Sequence, residues 1–347
     1  MKIGVFDHVE HGDRPLATLY DERLEFAAAV DDAGFYGLHV AEHHQTPLSL
    51  VPSPSVYLAA VARATKRVRL GPIVYLLPLY SPLRLIEEIC MLDHLSRGRL
   101  DVGVGRGVSP FELKFHKVEH DESRDIFAEA YECLSAGLNT DSLTYNGKYY
   151  TYEDVPIALR PLQQPQPPMW YASTSDVGAK WAGEQGLHFV TLGATTAAKA
   201  CIDAYRAALT KRGGPAQPKA GFSGGAVIGL QRHIFVAETD AEAHRVFKPA
   251  MEVHLANLNW LKVKLGDVGP HARVTIPHGT SYESMIAHGG LIAGSPQTVR
   301  AEIERQTAEL GINYLLTYLF LGTMSLTDAL RSLDLFRDEV MPHLAKL

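Results

Sequence analysis

The sequence predicts an α/β fold of the TIM type: a (β/α)8 barrel with an insertion before the last strand. Three observations predict it. Short apolar runs of strand length alternate with longer amphipathic segments, the pattern of a parallel sheet covered by helices. The strand-like runs number eight, the count that closes such a barrel. No internal repeat or strong linker divides the 347 residues, 46% of them hydrophobic, so residues 1–347 read as a single domain with a large core. An open doubly wound sheet is the alternative.

The elements follow in order. Residues 2–9 (KIGVFDHV) read as the first strand. Leu24, Ala27, Ala28 and Val30 then fall on a helical spacing within 20–33, and Gly34 supplies the stop. Residues 35–41 form the second strand, and Ser53-Pro54 opens a helix over 53–64. Residues 68–76 (VRLGPIVYL) form the third strand, and Pro82 starts a helix to about Leu95. Residues 100–104 form a short buried strand. The helix over 123–138 places Ile126, Phe127, Ala130, Tyr131 and Leu134 on one face. Within 143–152, Asn146-Gly147 between aromatic and β-branched residues signals a hairpin. A Pro/Gln-rich connector leads to strands at 169–173 and 188–192, each followed by a helix, over 176–185 and about 196–211. Residues 226–237 form the seventh strand, followed by a helix over 240–257. Residues 312–319 form the eighth strand, and 325–341 the last helix. Residues 258–295, rich in Gly and His, fit no clean unit and are expected to form a mobile insertion or lid.

Composition narrows the function. A formal charge of -6 argues against a general nucleic-acid binder. The N-terminus meets Asp7 before any long apolar region, so it does not read as a signal peptide. No apolar run is long enough to span a membrane. Cys90, Cys133 and Cys201 are widely spaced, with no zinc-type pattern, so a cytoplasmic location is the expectation.

Chemistry in such a barrel collects where strands end. Ser173-Thr174-Ser175 precedes a helix start, where hydroxyls and free N–H groups suit an anion; ordinary helix capping is the plainer reading. Gly103-Val104-Gly105-Arg106-Gly107 puts a cation in a close-approach backbone on the neighbouring strand; it is either a tight turn or the other half of a phosphate grip. It is not the dinucleotide fingerprint, since the third glycine comes one residue early. His43 and His44 follow the second strand and could move protons, or pair structurally. No metal site is expected, for want of HExxH or HxH spacing. Asp93 and Arg99, at the far end of the barrel, read as a structural ion pair. Tyr75, Leu76, His8 and the 258–295 segment are expected to line the pocket.

These segments, taken in order, resemble the bacterial luciferase-like flavin monooxygenases. The resemblance rests on KIGVF, AEHHQ, VRLGPIVYLLPLYSPLRLIEE, MLDHLSRGRLDVGVGRG, ESRDIFAEA, STSD and LFRDEVMPHL. It implies reduced FMN as cosubstrate, usually supplied by a separate flavin reductase, together with O2. Arg106, Arg124, Ser173, Thr174 and Ser175 would hold the FMN phosphate. His43 would be the catalytic histidine and His44 its neighbour. Ile73-Val74 matches the place of a non-proline cis peptide under the isoalloxazine. Gly105 and Ser173 replace a cysteine and a glutamate of luciferase itself, and Ser109-Pro110 stands where it has a tyrosine. A generic member, not a light-emitting one, is therefore expected. It would oxygenate a small organic substrate through a C4a-(hydro)peroxyflavin sheltered from water, and it is a possible homodimer. Alternatives are a deazaflavin-dependent hydride transferase on the same fold, a non-catalytic flavin-binding protein, and, most distantly, a metal-dependent barrel hydrolase.

Overall fold

A computed structural model describes residues 1–266 and 280–345. Its strands are β1 (Lys2–Asp7), β2 (Gly37–Val40), β3 (Arg69–Pro72), β4 (Tyr75–Leu76), β5 (Val102–Gly105), β6 (Ser142–Asn146), β7 (Thr151–Pro156), β8 (Met169–Ala172), β9 (His188–Thr191), β10 (Ile228–Val236), β11 (Leu291–Gly294) and β12 (Tyr314–Tyr318). The helices around them are α1 (Leu16–Asp32), α2 (Pro54–Ala64), α3 (Pro82–Leu95), α4 (Pro110–Phe115), α5 (Ser123–Asn139), α6 (Asp176–Gln185), α7 (Thr195–Arg212), α8 (Asp240–Leu265), α9 (Tyr282–Ala287), α10 (Pro296–Leu310) and α11 (Leu326–Leu335).

One parallel sheet runs β3-β2-β1-β12-β10-β9-β8-β5-β4, and a parallel bridge between Leu70 and Leu100 joins its two ends. The sheet therefore closes into the expected α/β barrel. Its strands are apolar along most of their length because helices cover one face and packed side chains fill the other. Closure demands small residues where β3 meets β5. A Cβ on Gly71 would lie 1.8 Å from the Asp101 carbonyl oxygen, and one on Gly103 2.4 Å from that of Pro72. At the mouth, the buried Asp7 carboxylate meets the buried Arg23 guanidinium at 3.1 Å, tying the end of β1 to α1. β6 and β7 form the antiparallel hairpin outside the barrel.

Several boundaries and contacts differ from the sequence reading. The first strand stops at Asp7, and the third divides into β3 and β4 around residues 73–74. The 258–295 segment divides three ways. Residues 258–265 extend α8, whereas residues 267–279 lie outside the described residues. The remainder contains α9 and β11, a strand that pairs with the C-terminal half of β10. β11 is only four residues long, LIAG, too short to show a period. The expected Asp93–Arg99 ion pair does not form. Asp93 accepts from the Gln163 side chain and backbone at 2.8 and 2.7 Å. Arg99 instead caps the carbonyls of Ala62, Thr65 and Val68. Five donors on one guanidinium match a set of helix-end carbonyls better than a single carboxylate does.

The far end of the barrel is closed by a buried ionic group. Asp101 contacts Arg69 at 2.9 Å and Lys219 at 2.6 Å. His39 and His188, both buried, stand close by.

Candidate active site

Register decides what meets at the β5–β8 edge. Val104 pairs with Tyr171, so two residues further on Arg106 stands beside Ser173. Ser175 caps α6 by accepting from the Gly178 N–H at 3.2 Å, and Ser173 Oγ lies 3.2 Å from Ser175 Oγ. The capping reading of this segment is realised, and the hydroxyls still stand on the rim. Arg106 donates to Ser123 Oγ at 3.1 Å, at the start of α5. Arg124 follows directly on α5. Burial first, then the charge of Arg124, holds the Arg106 guanidinium below its usual range. Among the described residues neither arginine has an ion-pair partner. Two like charges kept together beside an N-capped helix start favour an anion between them. Gly105 contributes by lacking a side chain, since a Cβ there would lie 2.4 Å from Val74 Cγ2. The Ile73–Val74 peptide bond is cis.

The two histidines form a different group. His43 Nδ1 lies 3.1 Å from Glu112 Oε1, and the backbone N–H of His44 donates to Glu112 Oε2 at 3.1 Å. Burial pulls the His43 pKa down, but the Glu112 charge, its hydrogen bond and the Glu42 charge outweigh that, so it is raised above the ordinary 6.5. His44 Nε2 contacts Glu42 Oε1 at 2.8 Å. The other oxygen of buried Glu42 accepts from the Leu76 N–H at 3.2 Å and from the Tyr80 hydroxyl at 2.9 Å. Glu42 therefore joins His44 to the chain that follows Val74. Burial pushes its carboxyl pKa up, against the hydrogen bonds it accepts.

Tyr75 does not line the pocket as expected. It is fully buried, and its hydroxyl pairs with Ser55 Oγ at 2.8 Å. His8 does reach the mouth, where its ring stacks on His43 at 5.5 Å. Sequence reasoning missed Glu112, which lies 69 positions after His43 and is buried on α4. The SPFE sequence carried a signal, because Ser109 caps α4 and Pro110 opens it, with Glu112 at the third position. His233, His254 and Glu10 were also missed. They lie on β10, on α8 and in the loop after β1, and only the barrel brings them together. Among the described residues no group of three His, Cys, Asp or Glu is placed to hold a metal, and no helix is long and apolar enough to cross a membrane.

Comparison with known proteins shows the family and the fold. The family model described as "Luciferase-like monooxygenase" matches residues 1–314. An uncharacterised protein of Sinorhizobium fredii is 34% identical over 342 residues, covering 98% of this chain and 96% of that protein. The oxygenase component of the flavin-dependent trigonelline monooxygenase of Acinetobacter baylyi is 30% identical over 190 residues, covering 54% of this chain and 52% of that protein. The solved monooxygenase RslO1 of Streptomyces bottropensis shares the fold with a TM-score of 0.87, at 24% identity, over 99% of this chain and 100% of that one. A barrel with a cationic rim at β5–β8 and carboxylate-backed histidines after β2 thus meets a family match over most of its length, and the chain belongs to the luciferase-like monooxygenase family of oxidoreductases.

Proposed function

We propose that the protein is the oxygenase component of a two-component monooxygenase. It would take reduced FMN from a separate reductase and use O2 to oxygenate a small organic substrate. The observation that carries the cofactor reading is the Arg106–Arg124 pair without a carboxylate partner among the described residues. A flavin monophosphate presents one dianion, which suits two guanidinium groups, the Ser173 to Ser175 hydroxyls and the start of α6. Gly105 lets the Val74 side chain pack directly on β5, which brings the 73–74 backbone up to the cationic rim as a wall for a flat ring. The component structure named for the Acinetobacter relative supports a separate reductase.

Bound reduced flavin would supply the activation of oxygen. The chain's own residues do the rest. Arg106 and Arg124 fix the phosphate. His43, held by Glu112, keeps a proton at its Nε2 and delivers it to a developing negative oxygen. Glu42 fixes His44 and the Leu76 backbone, so the wall beside the ring does not shift. The buried side chains behind the mouth exclude water from the reacting atoms.

The test compares binding of reduced FMN, oxidised FMN, riboflavin and a deazaflavin to the purified protein. Reduced FMN should bind best and riboflavin poorly. Preference for the deazaflavin would replace this reading with hydride transfer. Equal affinity for FMN and riboflavin would remove the phosphate site.

A further inference from the structure

β10 carries a side-chain amide into the barrel. Its alternate positions divide cleanly between the two faces of the sheet. Leu230 packs outward on Ala198 and Ile202 of α7 and on Leu310. Arg232 also turns outward, to Gln306 of α10 and Thr195 of α7. The positions between and beside them therefore face the interior. Gly229 does so beside Val190 and Tyr314, where an added Cβ would lie 2.9 and 3.5 Å from their side chains. His233 does so nearer the mouth, engaged by His254 at 3.2 Å. Gln231 lies between the two and is 6% exposed. Among the described residues its amide has no hydrogen-bond partner, yet neither amide atom is sealed off among side chains.

Register places this amide across the barrel from residues 73–74. In one direction Gln231 pairs with Leu316, Leu316 with Gly4, Gly4 with Gly37, and Gly37 with Arg69. In the other, Leu230 pairs with Thr191, and the ladders through Val190–Ala172, Tyr171–Val104 and Val104–Tyr75 climb past Leu76. Strands of a closed barrel tilt against its axis, so the two paths reach the opposite wall at different heights. The level of Gln231 falls midway between them, at 73–74. β10 also stands opposite this wall in the strand order, with three strands between them on either side. A flat ring lying against 73–74 thus turns its far face toward Gln231. Phe6 packs on the same interior cluster as Val74, Val190 and Leu316.

The acidic groups around the mouth already have partners. Asp7 meets Arg23, Glu10 meets His254 and Asn257, Glu112 meets His43, and Glu42 meets His44 and Tyr80. A ligand group seated at Gln231 is therefore neutral, since a charge there would be covered without a counterion. A primary amide offers an N–H donor and a C=O acceptor side by side. A ketone or an ether answers the N–H and leaves the C=O covered and unpaired, which is costly. An edge that carries N–H and C=O on neighbouring atoms answers both. We propose that Gln231 sets substrate specificity, taking by two parallel hydrogen bonds the amide edge of a planar lactam. The inference rests on the FMN monooxygenase reading and names the substrate class for it. Gln231 donates to the lactam carbonyl and accepts from the lactam N–H. Two bonds also fix the rotation of the substrate against the flavin, so the same atoms meet the reacting face at each turnover.

The probes are 2-quinolone, its N-methyl derivative and quinoline. Each is titrated by calorimetry, under nitrogen, into the full-length protein loaded with reduced FMN. The wild type should bind 2-quinolone about tenfold to hundredfold more tightly than either analogue, because both analogues leave the Gln231 carbonyl unpaired. Gln231→Leu should weaken 2-quinolone by a similar factor and change the two analogues by less than about threefold. A merely structural role would shift all three probes together. Should Gln231→Leu not fold, Gln231→Met, of nearly the same shape, takes its place, and the wild-type series decides without either variant. Absence of binding by all three probes overturns the proposal. Equal wild-type affinities overturn it too, as does a 2-quinolone preference that survives loss of the amide. FMN affinity is measured on the same samples. Tight FMN binding without a lactam preference removes the substrate class alone, whereas absent FMN binding removes the cofactor reading and this inference with it.

Discussion

The proposed chemistry rests, residue by residue, on two arginines and a carboxylate-bound histidine. Arg106→Ala removes one of two charge-assisted grips on a phosphate, so FMN binding should weaken by about 2–3 kcal/mol. Riboflavin binding should hardly change, and equal losses for both would show that Arg106 does not contact the phosphate. His43→Ala should leave FMN affinity intact and lower turnover by about 10²–10⁴, the range for a lost general acid. A fall in melting temperature with loss of flavin binding would instead mark a structural histidine. Glu112→Gln tests how His43 is tuned. The native pKa is raised, so the imidazolium persists to higher pH than in a free histidine. Removing the Glu112 charge leaves burial as the larger influence, and the pKa should fall. The alkaline limb of the kcat profile should then move to lower pH, together with the His43 ring-proton shift in NMR. A limb that stays in place would mean that His43 does not supply the proton.

At the scale of elements, the site depends on where α6 starts and on how closely β3 and β5 approach. Ser175 both caps α6 and stands beside the cationic rim. Ser175→Ala should cost about 1 kcal/mol of stability through the lost cap. It should weaken FMN less than Arg106→Ala does, because the helix start and both arginines remain. Calorimetry and a flavin fluorescence titration separate the two effects. A flavin loss as large as that of Arg106→Ala would make Ser175 a principal ligand.

The whole barrel carries a pH dependence set at the end away from the chemistry. Burial lowers the pKa of His39 to about 4 and that of His188 to about 3, from an ordinary 6.5. The Val227 N–H donates to His188 Nδ1 at 3.3 Å, which fits a neutral ring. Between pH 6.5 and 4 the unfolded chain binds protons at these positions and the folded chain does not. Stability is then complete above pH 6.5 and falls on acidification by roughly 1.4 kcal/mol per pH unit for each histidine. His39→Gln should flatten the slope of unfolding free energy against pH over that window, as measured by urea denaturation. An unchanged slope would mean that His39 is protonated in the folded state.

Local signals along the chain account for the order of most strands and helices. Apolar runs of strand length, Pro54 and Pro82 at helix starts, and Asn146-Gly147 in a hairpin are all local. They also marked the strand ends where Arg106, Ser173 to Ser175, His43 and His44 stand. Local signals ended there. β11 is too short for a period, and Tyr75 could not be told from a pocket residue until its hydroxyl met Ser55. Arg99 took carbonyls instead of Asp93 because the end of α2 and the chain after it offer several acceptors to one guanidinium, which sequence proximity does not reveal. Only the tertiary structure decided that Glu112 backs His43 and that Glu10, 244 positions before His254, backs the second histidine pair. Hydrogen bonds between distant segments depend on barrel closure and register, and neither leaves a periodic trace along the chain.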